Sequence, residues 1–145
     1  MNSTSDQAMK ETLAAFLKDF IGGNQKLCLR DLLRGEEAAF FREKMQELAV
    51  LVLTMPATYE TENTGKNDKV VMLHYFTGGA DFWIIEKDSD PDGRGQIQAF
   101  GFADLGYGPE LGYISIKEIL EAGAELDFHF TPKTWIEVSE KRKSA

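Results

Sequence analysis

The chain has 145 residues, 43% hydrophobic and 11% aromatic, with a formal charge of −8. That length suits one domain with a self-sufficient core, and the mixture excludes an intrinsically disordered chain. The acidic balance argues against nonspecific binding to nucleic acid or anionic membrane, both of which need basic surface; it is compatible with plain solubility, a basic protein partner, or mimicry of nucleic-acid charge.

The first residues, MNSTSDQAMKE, carry neither a basic n-region nor an apolar h-region, so cytoplasmic residence is the expectation. From Met9 onward, apolar residues at 9, 13, 16, 17, 20 and 21 form one helical stripe. Thr4 or Asp6 can cap its start, and Gly22-Gly23 can end it. A short apolar segment, Leu27 to Leu33, precedes Gly35. The one cysteine, Cys28, has no disulfide partner within the chain and is expected to be packed rather than reactive. A second helix is predicted from about Glu36 to Met55, with Phe41, Met45, Leu48, Val52 and Met55 on one face. Glu36 and Glu37 then lie in its first turn, where the helix dipole favours anions, and Pro56 stops it. The longest apolar run, Leu48 to Leu53, is far short of the ~20 residues of a membrane helix.

After Pro56 the texture changes. Residues 58–69 are polar and loop-like, with Tyr59 as the possible start of a short strand. Three β-branched and aromatic runs follow: VVMLHYF (70–76), FWIIEK (82–87) and QIQAFGFADL (96–105). The links TGGAD and DSDPDGRG are short, which requires antiparallel neighbours. The next stretch, AFGFADLGYGPELGYISI, reads as strand, turn, strand. Gly106 and Gly108 suit positive-φ positions in the turn, whereas Gly101 and Gly112 imply bulges or rings lying over bare backbone. The spacing fits neither GxGxxG nor a Walker loop. Ser115 and Glu118 form a capping box for a short helix that ends near Gly123. LDFHF (126–130) is the candidate last strand, and the end KRKSA is expected to fray. The fold class is therefore α+β and one domain. N-terminal helices (1–55) pack on a mainly antiparallel sheet of about four to six strands (56–135), with a short helix after PELGYIS and a tail (136–145).

The turn DSDPDG sets Asp88, Asp90 and Asp92 at the spacing that opens an EF-hand loop. The twelfth position is Ala99 where a bidentate Glu is needed, and the flanks are strands, so the three carboxylates are a weak metal candidate at most. His74 and His129 sit in apolar strand patterns. They read as core or edge histidines, with a metal site shared with Asp81 or Asp127 as the alternative. No serine lies in GxSxG, and nothing brings two of Glu60, Glu62, Glu86 and Glu110 together. Glu110, in a glycine-rich turn between aromatics, is read as a loop organiser accepting backbone N–H bonds, ahead of a general acid or base. No cofactor is expected. Eight aromatics crowd the strands and turns, and alternate strand residues face opposite ways, so one core cannot hold them all. Trp83 and Tyr107 are therefore expected near the surface as contact anchors.

PATYETEN, VVMLHYFTGGADFWIIEKD, FGFADLGYGPELGYISIKEIL and LDFHFTPKT resemble the family named domain of unknown function 2958, over about Pro56 to Thr134. They are also similar to modules inside large phage and plasmid proteins. The resemblance implies a setting on mobile genetic elements and carries over no catalytic residue. The expected function is a non-catalytic protein-binding module acting through Trp83, Tyr107, Pro109, Glu110 and Tyr113, with a DNA-processing or host-defence protein as partner. No direct contact with nucleic acid or membrane is expected. Two alternatives stand beside it: an acidic anti-defence mimic built on the glutamates of the second helix, and a weak hydrolase using Glu110.

Overall fold

The computed structural model describes residues 3–144. The apolar stripe near the N-terminus forms α1 (Ser3–Phe20). Asp6 falls inside its first turn rather than at a cap, and the side chain of Thr4 lies outside the described residues. Gly22, extended at φ −76° and ψ 166°, serves as N-cap of a helix the sequence did not suggest, α2 (Gly23–Leu32). Only Leu29 of α2 is buried, so no apolar stripe marks it. Cys28 is one residue from Leu29, about 100° around the helix, and is exposed rather than packed. The predicted second helix is α3 (Ala38–Thr54); Glu36 and Glu37 precede it instead of forming its first turn. Lys87 stops α3 with Pro56: its Nζ donates to the carbonyls of Val52 and Leu53 at 2.8 and 2.9 Å. Burial pushes the Lys87 ammonium below its ordinary pKa.

The strands are β1 (Val70–Val71), β2 (Leu73–Thr77), β3 (Ala80–Glu86), β4 (Ala99–Asp104) and β5 (Pro109–Ile114). After β5 come α4 (Ile116–Glu121), β6 (Glu125–Leu126), β7 (Lys133–Thr134) and α5 (Trp135–Ser144). The main sheet is antiparallel in the order β5-β4-β3-β2-β6, and β1 pairs with β7 in a small second sheet. The α+β class thus holds. Of LDFHF, only Leu126 is in a strand. Asp127 ends the pairing by folding back, its carboxylate accepting from the His129 N–H at 2.9 Å and its carbonyl from the Phe130 N–H at 3.3 Å. Ser115 caps α4 by accepting from the Glu118 N–H at 3.1 Å.

The sheet is covered on both faces. On one, Leu73, Tyr75, Phe82, Ile84, Ala99 and Ile114 meet Phe16 and Phe20 of α1 and Met45, Leu48 and Val52 of α3. Tyr75 is fully buried there and donates its hydroxyl to the Phe20 carbonyl at 2.6 Å; burial holds its phenol well above the ordinary pKa. On the other face, Val71, Trp83, Ile85 and Phe102 pack against Trp135 and Val138. Trp135 stacks on Phe102 with centroids 3.7 Å apart and planes 8° apart. The segment expected to fray is therefore the helix α5, and it roofs a second core. Between the two cores, Gly101 of β4 has no room for a side chain, because a Cβ would lie 1.9 Å from the Trp83 carbonyl oxygen. The β3–β4 register shifts by a bulge between Ile84 and Glu86, next to this contact.

Candidate functional site

The β4–β5 turn is built around Asp104. One carboxylate oxygen accepts from the N–H groups of Gly106 and Gly108 at 2.8 and 3.1 Å, and the other takes a charged bond from Arg142 of α5. Gly106 and Gly108 stand at φ 109° and 103°, the region where a Cβ is strained. The backbone bonds, Gly106 first, and the Arg142 guanidinium hold the Asp104 carboxyl below its ordinary pKa. Asp104, then, is the organiser of this turn. Glu110, to which the sequence reading gave that role, lies exposed on β5 opposite Ala103. Among the described residues its carboxylate has neither a hydrogen bond nor an ion pair.

With the turn fixed from beneath, its apolar side chains point outward. Tyr107 is 97% exposed and Leu105 65%. β5 is the outer strand of the sheet, paired only with β4. Its Leu111 and Tyr113 are also exposed, Tyr113 by 59%. The ring of Phe100 meets that of Tyr113 edge-on at 5.6 Å. A depression of about 220 Å³ runs beside the strand, bounded by Leu105, Tyr107, Glu110, Gly112 and Tyr113.

A second loop completes this rim. Tyr59, 63% exposed, holds a left-handed backbone at φ 69°, uncommon for a residue with a side chain. The buried Glu86 at the end of β3 keeps it there. Its carboxylate accepts from the N–H groups of Tyr59 and Thr61 at 2.9 and 3.1 Å and from the Thr61 hydroxyl. Buried Lys69 closes the loop with a 2.6 Å bond to the Thr61 carbonyl. Tyr59 begins no strand; beside it a single bridge joins Ala57 to Lys87. Its hydroxyl accepts from Tyr113 at 3.3 Å, a bond that raises the Tyr113 phenol pKa. Lys69 and Asp104 escaped sequence reasoning, and Glu86 entered it only as one of four unpaired carboxylates, although the PATYET loop and the WIIE strand were both singled out. Nothing in either string says that one ties down the other.

Of the residues expected at the site, Pro109, Glu110 and Tyr113 lie on β5 and Tyr107 on the turn that leads into it. Trp83 does not. It is 4% exposed on the second core face, with Trp135 against its edge at 5.3 Å and the Arg142 guanidinium over its ring at 4.9 Å. The helix that was read as a tail is what covers it. Asp88, Asp90 and Asp92 do not converge on a cation. Asp88 is buried and uses its carboxylate on the N–H groups of Asp90 and Gln98, at 2.9 and 3.1 Å. Among the described residues no three His, Cys, Asp or Glu side chains are arranged to hold a metal ion.

His74 and His129 do not meet as ligands. His129 lies at the surface beside Phe40, with ring centroids 6.5 Å apart. His74 sits between two carboxylates: Nε2 is 2.8 Å from Asp81 and Nδ1 3.3 Å from Asp127. The carboxylates are on opposite sides of the ring, so they cannot share one cation with it. Neither ring nitrogen is open to serve as a base for a substrate. Among the described residues no helix is long and apolar enough to cross a membrane.

The family model described as Protein of unknown function (DUF2958) matches residues 44–140. No curated protein and no solved structure matches the chain.

Proposed function

The chain belongs to the DUF2958 family of proteins of unknown function, and on that premise we propose that it is a non-catalytic module that binds a protein partner along β5. The observation that carries this reading is the pairing of an open strand edge with a rim of exposed apolar side chains, Leu105, Tyr107, Leu111, Tyr113 and Tyr59. An edge strand offers a row of backbone donors and acceptors to an extended segment, and pockets beside it read alternate side chains. Tyrosines supply rigid contact area at low entropic cost. The rim is also held in place before binding, by Asp104 beneath the turn and Glu86 beneath the Tyr59 loop. Preorganisation of this kind lowers the ordering cost of association.

The partner class we favour is a DNA-processing or host-defence protein met by a phage or plasmid accessory factor, a setting that rests on the family resemblance alone. The extended segment would carry basic residues near its apolar ones, in keeping with Glu110 on the edge and the −8 charge of the chain. The mimic reading draws less support. Along α3, Arg42 and Lys44 interrupt the glutamates, and Lys44 pairs with Glu47 at 3.3 Å. The hydrolase reading also draws less support, since among the described residues no side chain is hydrogen-bonded or ion-paired to the Glu110 carboxylate.

The test is capture of a partner by the wild-type chain and by Tyr107→Ala/Tyr113→Ala, both checked for unchanged melting. Retained folding with lost capture supports the site. Full capture by the double variant removes β5 and its rim as the binding surface.

A further inference from the structure

A second concavity lies on the face covered by α5, beside β2 and β3. It encloses about 290 Å³. Its apolar wall is Trp83, Phe130 and Val138. Lys133, Lys141 and Arg142 stand around it as cations, with His74 at one end and Asp81 as the one carboxylate in the lining. Behind that lining Asp104 holds Arg142 and Asp127 holds His74, so the cations outnumber the carboxylates on the pocket surface itself.

His74 and Arg142 are fixed before any ligand arrives. His74 is clamped between Asp81 and Asp127 and stacks on Trp83 with centroids 5.6 Å apart and planes 16° apart. Arg142 is anchored to Asp104 by one terminal nitrogen while its plane lies over Trp83. A guanidinium has five N–H donors, so the anchoring bond leaves others for a second anion. Lys133 lies over the Phe130 ring at 5.1 Å. An apolar pocket of a few hundred Å³ with a few converging, preset polar groups is the usual form of a small-molecule site.

We propose that this pocket between β3 and α5 binds a small organic anion whose aromatic or apolar body lies against Phe130, beside the largely buried Trp83 and Val138, while its carboxylate or phosphate meets Lys133, Lys141 and Arg142. The apolar wall adds nothing to the binding of an ion without a body, and the cations disfavour an organic cation. Arg142 joins this site to the β5 turn through Asp104, so the test variants leave Arg142 in place.

The chain has two tryptophans, Trp83 in the pocket wall and Trp135 against it, so indole fluorescence reports the site locally and calorimetry reports binding regardless of optical change. The probes are benzoate, phenyl phosphate, benzylamine and inorganic phosphate. The two aromatic anions are expected to bind saturably, at least about tenfold tighter than benzylamine or inorganic phosphate, and more weakly as salt is raised. Lys133→Gln/Lys141→Gln should weaken both about tenfold, with the melt recorded alongside to separate lost binding from lost folding. Lys26→Gln, on α2, should change nothing. Three results would each overturn the proposal: no heat from either aromatic anion at about 10 mM, equal binding of benzylamine, or equal affinity of the double lysine variant.

Discussion

A methyl group at position 101 would collide with the Trp83 carbonyl, and the atom in its way is backbone, which cannot rotate aside. Gly101→Ala should therefore lose about 3 kcal/mol or more in chemical denaturation, more than overpacking usually costs. Asp104 gives a prediction with a sign. Its carboxyl sits below the ordinary 3.8 in the folded chain, so its stabilising effect is present above that value and is lost as pH falls through the lower folded one. The wild-type melting temperature should fall more steeply on acidification than that of Asp104→Asn. Parallel curves would mean that the carboxylate contributes nothing through its charge. Glu86→Ala would strand the N–H groups of Tyr59 and Thr61. About 1–3 kcal/mol per group left unsatisfied is the expected loss, with faster amide exchange in residues 57–65. At this scale the sequence was half legible. That a carboxylate would tie down the glycine turn could be read from composition. Which of Asp104 and Glu110 does so depends on which side of the hairpin faces α5, and nothing local to the turn records that.

Among the elements, α3, β2 to β5 and α4 could be read from periodicity, turn residues and the Ser115 cap, because each carries its own pattern. The helices α2 and α5 could not. Both are short, and each buries so few residues that no stripe appears: Leu29 in α2, and Trp135 and Val138 in α5. The Lys-Arg-Lys run of α5 looks like a solvated tail, yet its Arg142 reaches Asp104 and Trp83. This miss explains the misplacement of Trp83, since the aromatic surplus on the sheet has a roof that the sequence does not advertise. Trp135→Ala removes the plate stacked on Phe102 and should destabilise the chain by about 3–5 kcal/mol, read by denaturant melts. An effect below 1 kcal/mol would show that α5 is not needed over this face.

For the whole molecule, the family match begins at residue 44, so α1, α2 and the start of α3 lie outside it. Even so, Phe16, Phe20 and Ile21 are buried against the sheet. Exposing three such side chains is worth roughly 5–9 kcal/mol, comparable to the entire stability of a domain this size. Deleting residues 1–22 should accordingly leave a chain that fails to melt cooperatively. The helices and the second core together leave one long edge of the main sheet uncovered, β5, and the aromatic residues clustered there are the exposed remainder of a surplus the sequence does disclose. Site-specific photo-crosslinking from position 107 in cells tests this most directly. Crosslinks to one protein from positions 107 and 113, absent from position 26 on α2, are the expected outcome; crosslinks from position 26 alone, or equally from all three, would contradict β5 as the binding edge.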